Sequence, residues 1–334
     1  MMNSRSYFLA AALVTLAACS NDNETDNSVE SGLVPLEVSA SINKAKTRVT
    51  NDSQWQKGDM ISVNATSGEL EYTAKNYKLV DGTSNFEPVD PIYDAIYYGA
   101  ADGEFSAYYP CIAYQYLTDY KTISGDIISQ ETEQKKMSNK RIDFMYAKAT
   151  GTKNSPAVNF KFDHKMSKLV IRLKAGVGFQ DAWAFTSWYD LIFSSKSPNL
   201  HSKVTFDPKE GTITPRNAVN SLAFLYQPTN GIPRISGEDV TIDGTKYGQF
   251  TYILCPEEQV PGGLEFALHY VTKDITYTTT LFTDKSETEM VTEAGKEYVY
   301  TVTVNKTGLE VTNATIKPWI PAELPNDGNV DASL

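Results

Sequence analysis

The residue placed to do chemistry earliest in this chain is Cys19. It follows Leu16-Ala17-Ala18 at the end of an apolar run that starts at Tyr7. Small residues ahead of a cysteine are what a signal peptidase pocket admits, and Leu-Ala-Ala-Cys matches the lipobox of exported bacterial proteins. The thiol can take a diacylglycerol as a thioether, leaving Cys19 as a mature N-terminus that carries acyl chains, palmitate among them. At about 0.8 kcal/mol per buried CH₂, two or three such chains hold a protein on a membrane durably. The run from Tyr7 to Ala18 is shorter than the roughly twenty apolar residues that cross a bilayer, so it reads as an export signal and not as an anchor helix. An ordinary secretory signal with a chance cysteine is the alternative.

A second chemistry is one done to the chain. Lys44, Lys46 and Arg48 recur at every second residue. They form either a solvated strand end or a site for a trypsin-like protease, with the cut after Arg48. Elsewhere, residue types that carry catalysis occur without the spacing that catalysis needs. His164, His201 and His269 are far apart, and no His-Glu-x-x-His helix, Gly-x-Ser-x-Gly elbow or phosphate-binding glycine loop occurs. Asp327-Gly328-Asn329-Val330-Asp331 alternates oxygen ligands like a calcium loop, but no bidentate Glu follows. No catalytic residue, no metal and no cofactor is therefore expected. Cys111 and Cys255 are expected as buried free thiols, an interdomain disulfide being the other arrangement that an oxidising compartment allows.

Composition narrows the partners. Thirty Lys and Arg stand against 41 Asp and Glu, a net charge of −11 over 334 residues. Phosphate recognition needs a basic footprint, so nucleic acid is excluded as a partner. The Asn/Asp/Glu/Ser-rich stretch from Ser20 to Ser31 has almost nothing to bury and reads as a tether.

The elements that must position these residues are strands. Leu36, Val38, Ala40 and Ile42 share one face of a period-two pattern, with Glu37, Ser39 and Ser41 on the other. Further strands are expected at Met60–Val63, Tyr72–Leu79, Ile92–Tyr98, Phe105–Tyr116, Val158–His164 and Lys168–Leu173. Others follow at Ser221–Tyr226, Gly248–Leu254, Leu264–Val271, Ile275–Phe282, Tyr298–Val304 and Leu309–Ile316. Short strands in two blocks without helical crossovers indicate an all-β chain of stacked antiparallel sandwiches. The Gly/Lys/Asn/Ser/Pro break near Thr150–Pro156 divides it. The expected layout is a signal peptide at 1–18, an acidic tether at 19–33, an N-terminal β-sandwich at 34–156 and a C-terminal β-sandwich with tail at 157–334. The tyrosines between Tyr93 and Tyr120, with Trp183 and Trp188, read as core-and-rim packing ahead of a glycan platform.

Several segments carry a resemblance. They are Trp55-Gln56-Lys57-Gly58-Asp59-Met60-Ile61-Ser62-Val63, Phe105-Ser106-Ala107-Tyr108-Tyr109-Pro110 and Asp143-Phe144-Met145-Tyr146-Ala147. Phe160-Lys161-Phe162-Asp163-His164-Lys165-Met166-Ser167-Lys168-Leu169 follows. Ala294-Gly295-Lys296-Glu297-Tyr298-Val299-Tyr300, Lys306-Thr307-Gly308-Leu309-Glu310-Val311 and Ile316-Lys317-Pro318-Trp319 complete the set. In this order the chain resembles the fimbrillin family of Bacteroidales, the type V pilins and their fimbrillin-like relatives. Cys111 departs from the family pattern, which more often has an aromatic there.

The resemblance implies two tandem transthyretin-like antiparallel β-sandwich domains in a non-enzymatic subunit of a fimbria. It implies export as an outer-membrane lipoprotein to the cell surface and an Arg-specific protease as processing partner. It also implies assembly with other fimbrial subunits by strand exchange, and adhesion to a host or bacterial surface ligand. The exchanged strand is then Leu36–Ile42, the cut follows Arg48, and the donor comes from Leu309–Ile316 and the tail behind it. A non-polymerising surface lipoprotein that binds glycans is the alternative. Alkylation of the denatured chain without reductant is expected to label both Cys111 and Cys255; labelling at neither would mean a disulfide.

Overall fold

The computed structural model describes residues 33–42, 54–111, 123–126, 142–179, 189–224, 237–270, 273–283 and 286–319. The chain divides into two units, Met1–Leu33 and Val34–Leu334, and of the first only Leu33 is described. Every regular element among the described residues is a strand. Runs of Val, Ile, Tyr, Phe and Thr broken by glycine and Asx turns fit a pleated, half-buried surface better than a helix.

Seven strands of the first half close into a barrel. Its order is Ala157–His164, Glu37–Ile42, Asn85–Pro88, Leu70–Leu79, Met60–Ser67, Gly103–Tyr109 and Met145–Gly151, which returns to the first. Alternate residues fill the interior: Ala40, Ile61, Val63, Phe86, Phe105, Ala107, Phe160 and Phe162 are all buried. Closure removes the open edges that the strands of a sheet otherwise present. The first half, expected as a β-sandwich, thus closes through a continuous ring of hydrogen-bonded strands. Ala157–His164, expected to begin the second half, is a barrel strand.

The second half is a sandwich. One layer is the five-stranded sheet Glu238–Ile242, Thr245–Leu254, Ser167–Ala175, Lys296–Asn305, Gly308–Pro318. The other is the four-stranded sheet Ser221–Phe224, Tyr189–Ser194, Leu264–Tyr270, Ile275–Leu281. Leu169, Ile171 and Leu173 of the first layer share a core with Leu191, Phe193 and Leu268 of the second. Phe193 bridges the layers, 5.1 Å from the Tyr252 ring and 5.5 Å from Phe266.

Among the described residues, two pairings are parallel: Glu37–Ile42 with Ala157–His164 and Ser167–Ala175 with Lys296–Asn305. The antiparallel expectation fails there because a hairpin cannot join such strands; a long intervening chain does. Ile92–Tyr98 is also not one strand. Asp90 and Asp94 carboxylates accept backbone N–H bonds from Ile92, Tyr93 and Asn76 and bend the chain, leaving only Tyr97–Tyr98 extended.

The hairpin of Leu200–Asp207 with Thr212–Val219 was not expected. Pro215 hides its second strand, and is tolerated there because that strand lies at the edge of a three-stranded sheet. The third member of that sheet is Ile123–Asp126, a segment from the first half of the chain. Phe206 of the hairpin stacks on Phe144 at 4.9 Å and tilts against Tyr108 of the barrel at 6.0 Å, so the barrel wall and the second core meet directly.

A polar cluster marks the passage from barrel to sandwich. His164 Nδ1 lies 2.6 Å from Asp143 Oδ1, and the imidazole stacks 4.0 Å from Trp319. Lys168 Nζ lies 5.7 Å from the same indole and 3.6 Å from Glu297, which Lys317 also reaches. The backbone N–H of Trp319 donates to Gly295, whose own N–H donates to Met166. The last described turn is thereby tied to the hinge between the two halves. Replacing His164 with alanine removes a stacked ring and its contact to Asp143. It is expected to lower stability by about 2–4 kcal/mol, read as a fall in the urea midpoint at unchanged slope.

Candidate assembly site: the first barrel strand and its groove

The four residues read as a removable strand do share one face. Leu36, Val38, Ala40 and Ile42 are all buried, while Glu37 is exposed and Ser39 and Ser41 are half-buried. On one side the strand runs parallel to Ala157–His164 in continuous register from Glu37↔Ala157 to Ile42↔Phe162. On the other it pairs with Asn85–Pro88 through Val38↔Phe86 and Ser39↔Asn85. The Leu36 and Ala40 amides donate to the Ile96 and Ser84 carbonyls at 2.9 Å, and the Ser39 hydroxyl donates to Val158 O at 3.2 Å.

The groove around this strand is apolar and aromatic. Phe86, Val158, Phe160 and Phe162 form its walls, with Ile96 and Tyr98 deeper in the same core. Trp55 covers the C-terminal end. Its ring stands edge-on to Phe86, Tyr109 and Phe162 at 5.2–5.5 Å, and its indole N–H donates to the Ala40 carbonyl at 3.0 Å.

The turn after Trp55 sets that ring. Gly58 adopts φ 90°, a region that a side chain strains. Asp59 Oδ2 accepts the Gln56 amide at 2.7 Å. A cleft of about 490 Å³ opens beside it, lined by Ile42, Trp55, Lys57, Leu79, Asp81 and Gly82.

At about 1.5–3 kcal/mol for each fully buried aliphatic side chain, Leu36, Val38 and Ile42 stabilise the barrel together with the backbone ladder. A barrel without this strand would expose both the aromatic walls and two rows of unpaired backbone groups. Any strand that refilled it would need aliphatic residues at alternate positions and a small one where Ala40 sits wholly buried.

Such a strand exists elsewhere in the chain. Leu36-Glu37-Val38-Ser39-Ala40-Ser41-Ile42 is echoed by Leu309-Glu310-Val311-Thr312-Asn313-Ala314-Thr315-Ile316. The second copy has one residue more, and the structure shows where it goes. Pairing to Lys296–Asn305 steps from Val302↔Val311 to Thr301↔Asn313, so Thr312 is an unpaired bulge and the inward series remains Leu, Val, Ala, Ile. This strand is the edge of its sheet. There Ala314 is buried and Leu309, Val311 and Ile316 are only partly so. The repeat was legible in the sequence, yet the extra residue breaks strict alternation and conceals it.

The other expected residues divide as follows. Cys19, Lys44, Lys46, Arg48, Trp183, Trp188 and the Asp327–Asp331 stretch lie outside the described residues. Cys111 and Cys255 are free thiols, so the disulfide alternative does not form. Cys111 donates to Asn76 Oδ1 at 2.9 Å, and burial pushes its thiol pKa up. His269 faces Asp190 and Asp274 at the rim of the four-stranded sheet. His201, set aside on sequence spacing, lies beside Cys255 and Glu258.

Removing the indole donor while keeping an aromatic body tests how firmly the strand is held. Trp55→Phe costs about 1 kcal/mol for the lost bond. Hydrogen exchange at the amides of residues 36–42 is therefore expected to quicken about fivefold.

The family profile for fimbrillin-like proteins matches residues 47–319. A Bacteroides uniformis protein named as a candidate fimbrium subunit, Fim1C, is 28% identical over 330 residues, covering 93% of each chain. Two crystal structures share the fold, both of proteins described as candidate cell adhesion proteins. One, from Bacteroides uniformis, has a TM-score of 0.63 at 23% identity and covers 86% of this chain and 99% of that one. The other, from Bacteroides ovatus, has a TM-score of 0.63 at 21% identity and covers 87% and 99%. With the family profile matched over residues 47–319, the chain belongs to the fimbrillin-like family.

Proposed function

We propose that this chain is a structural subunit of a type V fimbria, with no enzymatic role. It is exported as an outer-membrane lipoprotein through Cys19, cut after Arg48 by an Arg-specific protease and polymerised at the cell surface by strand exchange. The observation that carries the reading is the match between a discrete closing strand, Leu36–Ile42, and a second segment of the same side-chain order at Leu309–Ile316. Membership of the fimbrillin-like family supports it, as does the relative named for a fimbrium.

The physical course is β-strand addition. Cleavage after Arg48 cuts the covalent link between the first strand and Trp55. The strand then stays only by its ladder and its buried face, and can leave. The vacated groove presents unpaired N–H and C=O groups above an aromatic floor, and a strand of the next subunit satisfies both.

The segment at Leu309–Ile316 is suited to this because its aliphatic residues are half-buried at a sheet edge and would be fully buried in the barrel. Its exchange gives up pairing to Lys296–Asn305 and gains pairing to Ala157–His164 of a neighbour. The partners are other fimbrial subunits, the lipid-bearing membrane before processing, and the surface to which the filament adheres.

The test is Arg48→Ala. Treated with an Arg-specific protease, the wild-type chain is expected to lose the segment through Arg48 and to form concentration-dependent ladders and filaments by electron microscopy. The variant is expected to do neither. Equal processing and polymerisation of both would sink the proposal. A chain that stays monomeric after cleavage and is retained on a polysaccharide column would support the glycan-binding alternative instead.

A further inference from the structure

The second half holds three ligand-type side chains that the sequence keeps far apart. His201 is the second residue of the strand Leu200–Asp207, and Cys255 and Glu258 flank the turn between Thr245–Leu254 and Gln259–Pro261. A ring nitrogen of His201, the sulfur of Cys255 and a carboxylate oxygen of Glu258 all lie within 4.8 Å of one another. Cys255 is wholly buried and Glu258 nearly so, while the His201 side chain is about a quarter exposed.

This grouping is costly for the bare chain. Glu258 accepts the His201 backbone N–H at 2.8 Å, but the nearer ring nitrogen is 3.8 Å away, beyond hydrogen-bonding range. That nitrogen, His201 Nδ1, is buried and has no hydrogen-bond partner, a rare state for a polar atom. Burial pushes the Glu258 carboxyl up from its ordinary pKa and the Cys255 thiol well up from its own. Three groups that could each donate a lone pair thus converge in a mostly buried space that opens to solvent beside His201.

The turn that presents two of them is firmly held. Thr292 accepts the Glu257 amide through its carbonyl at 2.6 Å and the Glu258 amide through its hydroxyl at 2.9 Å. The same hydroxyl donates to Cys255 O at 2.8 Å, and the Thr292 amide donates to Glu258 O at 3.0 Å. Glu257 takes φ 63° to complete the bend. Cys255-Pro256-Glu257-Glu258 therefore offers two ligands three residues apart on one clamped turn, the arrangement that short metal knuckles use. His201 comes from a separate strand, to which Asn199 Nδ2 ties the turn by donating to Gln259 O at 2.7 Å.

We propose that Cys255, Glu258 and His201 form a site for a single borderline-soft divalent cation of the zinc class, its fourth position filled by solvent through the exposed edge of His201. Thiolate, imidazole and carboxylate together suit Zn²⁺, whereas an all-oxygen set would suit calcium or magnesium. Tetrahedral zinc with ordinary bond lengths sets its ligand atoms about 3.3–3.7 Å apart, so the cluster closes by small side-chain rotations. As the bonds form, the thiol proton and any proton on the carboxyl pass to solvent, and the cation replaces them. The ion would staple the hairpin at Leu200 to the edge of the sandwich core.

The experiment uses the untagged mature chain, stripped with chelator and loaded with Zn²⁺ or Co²⁺. One equivalent of zinc by elemental analysis, a several-degree rise in thermal midpoint and a thiolate-to-cobalt charge-transfer band are expected. Cys255→Ser should lose the band, and Glu258→Gln should bind at least about tenfold more weakly. Cys111→Ser and Cys19→Ser should each keep both band and affinity, which assigns the thiolate to Cys255 even if the Cys255 variant fails to fold. Absence of the band in the wild-type chain, or its loss in Cys111→Ser or Cys19→Ser, would overturn the proposal.

Discussion

The parallel pairing of Glu37–Ile42 with Ala157–His164 is the constraint on which the rest of this molecule rests. It joins the first barrel strand to one that follows a long stretch of intervening chain, and it is the seam at which the barrel closes. Loop-closure entropy must be met before such a contact yields anything. The buried faces of the two strands, with Val38, Ala40 and Ile42 against Val158, Phe160 and Phe162, are what offset it. The strand that closes the seam also leads directly into the sandwich. Lys165 N donates to Phe144 O at its end, and His164 sits between Asp143 and Trp319.

The barrel interior and the sandwich have different hydrophobic cores, joined where Tyr108 and Tyr146 of the barrel wall pack into the second. The two hydrophobic clusters change over between Phe162 and Met166. Loss of the first strand would open one cluster and leave Leu169, Ile171 and their sandwich partners in place. With Trp55 over its end, the groove is tight at Ala40, which is fully buried, so a large residue there would meet the walls.

The second half carries a different economy of polar groups. Its buried Lys168, Glu297 and Glu258, with half-buried His201 beside the last, are unusual for a β-sandwich interior, because buried charge is costly unless it is satisfied. Lys168 and Glu297 have each other, with Trp319 and Lys317 beside them. The Glu258 group has no comparable set of neighbours, and a cation would supply the missing charge.

By itself the sequence determined the all-β class, the face of Leu36–Ile42 and most strand positions, because period two is a local property written in consecutive residues. It also carried the motifs that place the chain among fimbrillin-like proteins, since those are short and ordered along the chain. Tertiary structure alone decided that Ala157–His164 closes a barrel and that two pairings run parallel. It also bent the apolar stretch after Asp90 into a turn through carboxylate bonds, and brought His201 to Cys255 and Glu258. Each of these depends on which distant segments meet, and no periodicity within one segment encodes its partner. The likeness of Leu309–Ile316 to the first strand lies between the two. Its residues were in plain view, but only the bulge at Thr312 showed that the extra residue leaves the inward face unchanged.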